Sequence, residues 1–129
     1  MERLKQRADF LAAATGIKVP AAAFVLQTRK RADEGPVRFG FTVSKKVGNA
    51  VERNRVRRRL KEIVRLSDPT PIQGAGYFAG HDYVLIGRRA ALKLSFERMR
   101  NDFAGALRRA HSAFHGTSFA GRSGNTGSR

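Results

Sequence analysis

Apolar and polar positions alternate along the chain with two different periods. The plainest stretch is Val37 to Ser44, where Val37, Phe39, Phe41 and Val43 alternate with Arg38, Gly40, Thr42 and Ser44, the period of a strand with one buried face. A second strand is predicted over Ala21 to Arg29: Phe24, Leu26 and Thr28 fall on one side, and Val25, Gln27 and Arg29 on the other. The polar run KRADEGP between the two, with its Gly-Pro pair, reads as a turn or hairpin loop. Tyr83 to Ile86 predicts a third strand, short and apolar throughout.

Three segments carry helical spacing instead. Leu4, Ala8, Leu11 and Ala12 predict an amphipathic helix over Glu2 to Ala14, ended near Gly16. Asn49 with Glu52 three residues on has the pattern of a capping box. Val56, Leu60, Ile63 and Val64 then form the buried stripe of a helix that starts near Ala50 and stops by Ser67, before Pro69. Ser95 is placed to cap a last helix whose apolar side is Met99, Phe103, Ala106, Leu107, Ala110 and Phe114. Ser67 to Gly80 reads as an irregular loop, and Gly116 to Arg129 as a disordered Gly/Ser-rich tail. The order α-β-β-α-β-α describes an α+β domain over residues 1–115, with its sheet packed against the second and third helices. A chain of 129 residues suits a single core of this kind.

Charge narrows the function. Lys and Arg total 26 against 10 Asp and Glu, a net charge of +16 that draws polyanions, nucleic acid first among them. No apolar run approaches the roughly 18–20 residues of a membrane span, and charged residues from Glu2 to Asp9 interrupt what would be a secretory signal. A cytoplasmic protein with no membrane partner is expected. The absence of Cys excludes disulfides, Cys-containing zinc fingers and thiol catalysis. His81, His111 and His115 are too scattered for a triad, and no phosphate-binding P-loop is present. His111 and His115 lie one helical turn apart and read as solvent-exposed, with an adventitious metal contact as the alternative.

Half of the net charge lies between Arg38 and Arg65, where ten Lys or Arg face two acids. At about 100° per residue, Asn54, Arg58, Lys61 and Arg65 occupy the pole of the middle helix opposite Val56, with Arg55 and Arg57 beside them. The run RVRRR sets like charges side by side, which destabilises a helix unless an anion is near. Arg53 and Arg59 project closer to the apolar side, so a structural role is open for both. Asn54 either orients a neighbouring Arg, reads a nucleotide or is an ordinary helix-surface residue. The face bearing Val25, Gln27, Arg38, Gly40 and Thr42 is small and polar; Gly40 there suits either close approach of a nucleic-acid strand or a β-bulge. Phe10 suits either base stacking or a place in the core.

The run RFGFTVSKKVGNAVERNRVRRRLKE, Arg38 to Glu62, resembles the signature of the bacterial ribonuclease P protein subunit. Weaker similarity takes in Arg3-Leu4, Asp9-Phe10, FVLQT, DYVLIGR and the last helix, so that it covers residues 3 to 112. The resemblance implies an accessory subunit of an endonuclease whose catalyst is RNA and which removes the 5′ leader of precursor tRNA. It implies no catalytic side chain in the protein, Mg²⁺ held mainly by the catalytic RNA, and no obligate protein partner. It places Lys45, Lys46, Asn49, Arg53, Asn54, Arg55, Arg57, Arg58 and Lys61 against the catalytic RNA, and Phe10, Val25, Gln27, Arg38, Gly40 and Thr42 in a cleft for the leader. Ala14 and Gln27 stand where the family often carries aromatics, which leaves fewer rings to stack on leader bases. A left-handed βαβ crossover around the basic helix is also implied, against the right-handed rule. The alternative is a ribosome-associated RNA-binding module without a nuclease role.

Overall fold

The computed structural model describes residues 2–32, 35–67 and 80–120. In chain order these form β1 (Glu2–Arg3), α1 (Arg7–Ala13), β2 (Ile17–Pro20), β3 (Phe24–Lys30), β4 (Arg38–Thr42), α2 (Ala50–Leu66), β5 (His81–Gly87) and α3 (Phe96–Ala120), with single 3₁₀ turns at Lys45–Val47 and Arg89–Leu92. The sheet order is β1-β4-β5-β3-β2. The architecture is α+β, as the periodicities require.

Two strands escape the hydrophobic pattern. Leu4 belongs to no helix: its backbone N–H donates to the Phe39 carbonyl at 2.7 Å, directly after β1 pairs in parallel with β4. A two-residue strand carries no period, and α1 begins only at Arg7. The β2 strand ends at Pro20 on the sheet edge, where a missing N–H costs no ladder bond. The expected pairing of β3 with β4 is also corrected. β5 lies between them, antiparallel to β3 and parallel to β4, and α2 carries the chain from β4 across to β5. A strand buried along both faces belongs in the middle of a sheet, and every residue of β5 except Ile86 is buried.

The inner face of the sheet forms the main core. Phe24, Leu26, Phe39, Tyr83 and Leu85 pack against Val56, Leu60, Ile63 and Val64 of α2 and against Met99, Phe103, Ala106, Leu107 and Ala110 of α3. The α2 start is fixed by the capping box: Glu52 N–H donates to Asn49 Oδ1 and Asn49 N–H to Glu52 Oε1, both at 2.9 Å. Ser95 Oγ accepts from the Arg98 N–H at 3.1 Å at the head of α3. Gly87 lets α2 settle on the sheet, since a Cβ there would stand 2.6 Å from Val56 Cγ1.

His111 is a correction. It is 1% exposed, and its Nε2 lies 2.8 Å from the Tyr83 hydroxyl, because the α3 face carrying Leu107 and Ala110 turns it onto the sheet. The α3 helix continues through Ala120, beyond Gly116 where the tail was expected to begin. Positions 121–129 of that tail, and 68–79 of the predicted loop, lie outside the described residues. No helix among the described residues is long and apolar enough to cross a membrane.

A second, smaller core covers the outer face. Leu4, Ala13 and Val84 are buried there with Phe10 and Ile86 packed on them, so α1 lies across the sheet opposite α2 and α3.

Candidate nucleic-acid interface

On α2, the buried stripe turns the cationic residues outward. Asn54, Arg55, Arg58 and Arg65 are exposed, while Arg53, Arg57 and Lys61 are half-buried on its flanks. The two arginines left open by the sequence both hold backbone. Arg59 donates to the carbonyls of Ala91 and of Leu94, the latter at 2.7 Å, which pins the turn after β5 to the helix. Arg53 donates to the Gly48 carbonyl at 3.0 Å. Asn54 Oδ1 accepts from Arg57 Nη1 at 2.8 Å, so it orients an arginine. Lys45 and Lys46 stand exposed on the 3₁₀ turn whose Val47 is buried, and Arg89 donates to the Val47 carbonyl. Arg65 is paired with Glu62. Asn49 is occupied as the helix cap.

Lys61 is held below its ordinary value, first by burial and then by the positive charges of Arg3 and Arg57. Arg3 was missed as a site residue because the sequence placed it on a helix. The β1–β4 pairing brings it to the α2 side of the sheet.

On the outer face, the strand register lays out three rows. Thr42, Ile86, Val25 and Pro20 form one; Gly40, Val84, Gln27 and Lys18 the next; Arg38, Asp82 and Arg29 the third. Val25, Gln27, Arg38, Gly40 and Thr42 therefore share a face, with β5 residues between them. The face is largely covered. Val25 and Thr42 are half-buried, and Gln27 is only 7% exposed. Gly40 sits in unbroken register with Val84, so it marks no bulge. The space above it is filled by Phe10: a Cβ at Gly40 would stand 2.5 Å from Phe10 Cε1 and 3.0 Å from Leu4 Cδ1.

Arg38 is committed to acids. Its Nε donates to Asp82 Oδ1 and its Nη2 to Asp82 Oδ2, both at 2.8 Å, and Nη2 also reaches Asp9 Oδ1 at 3.4 Å. Asp82 further accepts from Arg31 at 2.6 Å and Arg29 at 3.3 Å, and its side chain is wholly buried. Burial pushes the Asp82 carboxyl up, but the guanidiniums of Arg38, Arg31 and Arg29 outweigh it and hold the group below the usual carboxylate range. The same contacts, led by the hydrogen bond to Asp82, keep Arg38 more firmly protonated than an ordinary arginine. Arg29, Arg31 and Asp82 were not read as a cluster. The available signal was a carboxylate inside an apolar strand, which folding cannot bury without cations beside it.

Among the described residues no group of three or more His, Cys, Asp or Glu side chains is placed to hold a metal ion. The cationic face of α2 suits phosphate binding, and it lies on the side of the sheet opposite α1.

Comparison with known proteins agrees with that chemistry. The Ribonuclease P family model matches residues 1–111. The chain belongs to the ribonuclease P protein family. It is similar to the ribonuclease P protein component of Gluconacetobacter diazotrophicus, 48% identical over 110 residues that cover 84% of this chain and 90% of that protein. The corresponding component of Erythrobacter litoralis is 44% identical over 107 residues, 83% of this chain and 84% of that one. Among solved structures, the Staphylococcus aureus RNase P protein superposes with a TM-score of 0.67 at 28% identity, covering 85% of this chain and 95% of that one. The Thermotoga maritima RNase P protein gives 0.65 at 30% identity, covering 84% and 97%. As a ribonuclease P protein, the chain works in tRNA 5′ processing as part of a ribonucleoprotein. Nothing in these relatives supports the ribosome-associated alternative.

Proposed function

We propose that this ribonuclease P protein binds the catalytic RNA through the α2 ridge and the preceding turn, and the 5′ leader of precursor tRNA through the opposite side of its sheet. The carrying observation is the placement of Arg55 and Arg58, exposed beside Asn54 and Arg57 on a helix whose other side is locked into the core. Such a face meets phosphates without disturbing the fold. In this reading Lys45, Lys46 and Lys61 extend the ridge, while Arg53 and Asn49 shape its loop. Val25, Thr42 and the half-buried ring of Phe10 line the leader cleft, and Gln27 and Arg38 support it from below. Cleavage is the work of the RNA, with Mg²⁺ held there, and the location is the cytoplasm. The protein raises affinity for the leader-bearing substrate.

Reconstitution tests this. Added to a bacterial ribonuclease P RNA at low Mg²⁺, the protein is expected to raise cleavage of precursor tRNA, and no increase would overturn the reading. The double variant Arg55→Ala/Arg58→Ala is expected to keep the melting temperature, because both side chains are exposed. Its binding to the catalytic RNA should lose about 1.4–1.8 units of log–log salt slope, two phosphate contacts' worth. An unchanged slope would remove these residues from the interface.

A further inference from the structure

Arg3 does not lie on the helix that carries the other cations, yet the fold delivers it to that helix. It pairs opposite Phe39, whose ring belongs to the inner core under α2, while Leu4, the next residue, points to the other face beside Phe10 and Val84. Strand alternation therefore directs the exposed Arg3 side chain to the α2 side, at the β1 edge of the sheet. On α2, Arg57 and Lys61 stand one turn apart along the flank. Arg57 is oriented by Asn54.

No acid neutralises this group among the described residues. Glu52 is spent on the helix cap and a longer contact to Arg89, and Glu62 on Arg65. None of Arg3, Arg57 or Lys61 forms a described ion pair, although Arg3 and Arg57 are close enough to disfavour the charge on Lys61. Three cations from two distant segments converging without a counter-charge raise the energy of the free protein, and an anion bound among them lowers it.

Building on the proposal that α2 binds the catalytic RNA, we infer that Arg3, Arg57 and Lys61 form one phosphate-binding site for a backbone phosphate of that RNA, with Arg3 its unrecognised member. The guanidiniums of Arg3 and Arg57 and the Lys61 ammonium supply donors from two sides, and Asn54 holds Arg57 in place for the contact. The site widens the RNA footprint from one helix to the sheet edge, so that the N-terminal strand takes part in binding as well as in pairing.

The test uses the full chain and a bacterial ribonuclease P RNA. Arg3→Gln should reduce the log–log salt slope of binding by about 0.7–0.9, so that its affinity deficit against the unchanged protein shrinks about threefold between 50 and 200 mM salt. Arg3→Lys, which keeps the charge, should retain the slope. Bound RNA should also slow acylation of the Lys61 amine, read by mass spectrometry of the labelled peptide. If Arg3→Gln leaves the slope intact while the Arg55/Arg58 variant loses its own, the three-cation site is wrong and the ridge survives. If neither slope moves, both readings fail. Unslowed labelling of Lys61 would equally overturn the site.

Discussion

Replacing Asp82 by Ala is expected to lower the unfolding free energy at pH 7 by about 3–5 kcal/mol, the range seen when one member of a buried ionic network is removed. The carboxylate is wholly buried, and its two oxygens accept from three arginines: Arg31 and Arg38 at Oδ1, Arg38 and Arg29 at Oδ2. Without it, Arg31 would remain buried and Arg38 largely so, in a cluster whose remaining described carboxylate is that of Asp9, at 3.4 Å from Arg38. Arg29, with its side chain 32% exposed, is the member of the cluster most able to turn to water and bears the least of the cost. A small domain holds only about 5–15 kcal/mol of stability in total, so the variant should unfold at a much lower urea midpoint. Asp82→Asn keeps the shape and removes the charge. It should fall between the two, and an Asn variant as stable as the unchanged protein would show that charge pairing contributes nothing here.

Acid should erase the difference. The Asp82 carboxyl is held below its ordinary value in the folded protein, so its contribution to stability is complete above about pH 4, where the unfolded group is also ionised. As pH falls through the folded value, the carboxylate is protonated and that contribution is lost. The stability gap between the unchanged protein and Asp82→Asn should therefore be constant from pH 5 to 8 and narrow only below about pH 4. A gap that narrowed near pH 6 would point to another group.

The sequence made the α2 surface legible because a helix is a local object. A capping box, a stripe of Val56, Leu60, Ile63 and Val64, and a fixed angular step per residue suffice to say which side faces out. The outer sheet face was legible only in part. Alternation along β3 and β4 correctly put Val25, Gln27, Gly40 and Thr42 on one face, but it says nothing about which strand lies between them or what covers them. Those are long-range facts: Asp82 meets Arg29 and Arg31 across more than 50 positions of chain. The placement of Arg3 was illegible for the same reason, since the helical spacing of Leu4, Ala8, Leu11 and Ala12 after it concealed a two-residue strand whose register depends on β4.

Gly40→Val is expected to move Phe10 off the sheet, and with it the first helix. The new Cβ would stand 2.5 and 2.7 Å from two atoms of the Phe10 ring, while the Leu4 methyl group at 3.0 Å closes the other side. The strand backbone is held on both edges by β1 and β5, so the ring must yield. Phe10 anchors α1 beside Ala13, whose contact with Val84 would loosen in turn. Overpacking of this kind costs about 1–3 kcal/mol. The pairwise nature of the clash gives a sharper check than the single variant. Phe10→Ala alone should destabilise by leaving a gap over Gly40, yet combined with Gly40→Val it makes room for the added side chain. The double variant should therefore be more stable than the sum of the two losses predicts, by about 0.5–3 kcal/mol in urea unfolding. Because the displaced helix borders the proposed leader cleft, Gly40→Val should weaken binding of a long-leader precursor tRNA more than of a leaderless tRNA. Additive stabilities would mean that Phe10 and Gly40 do not share this space, and equal losses on the two RNAs would mean that the cleft is elsewhere.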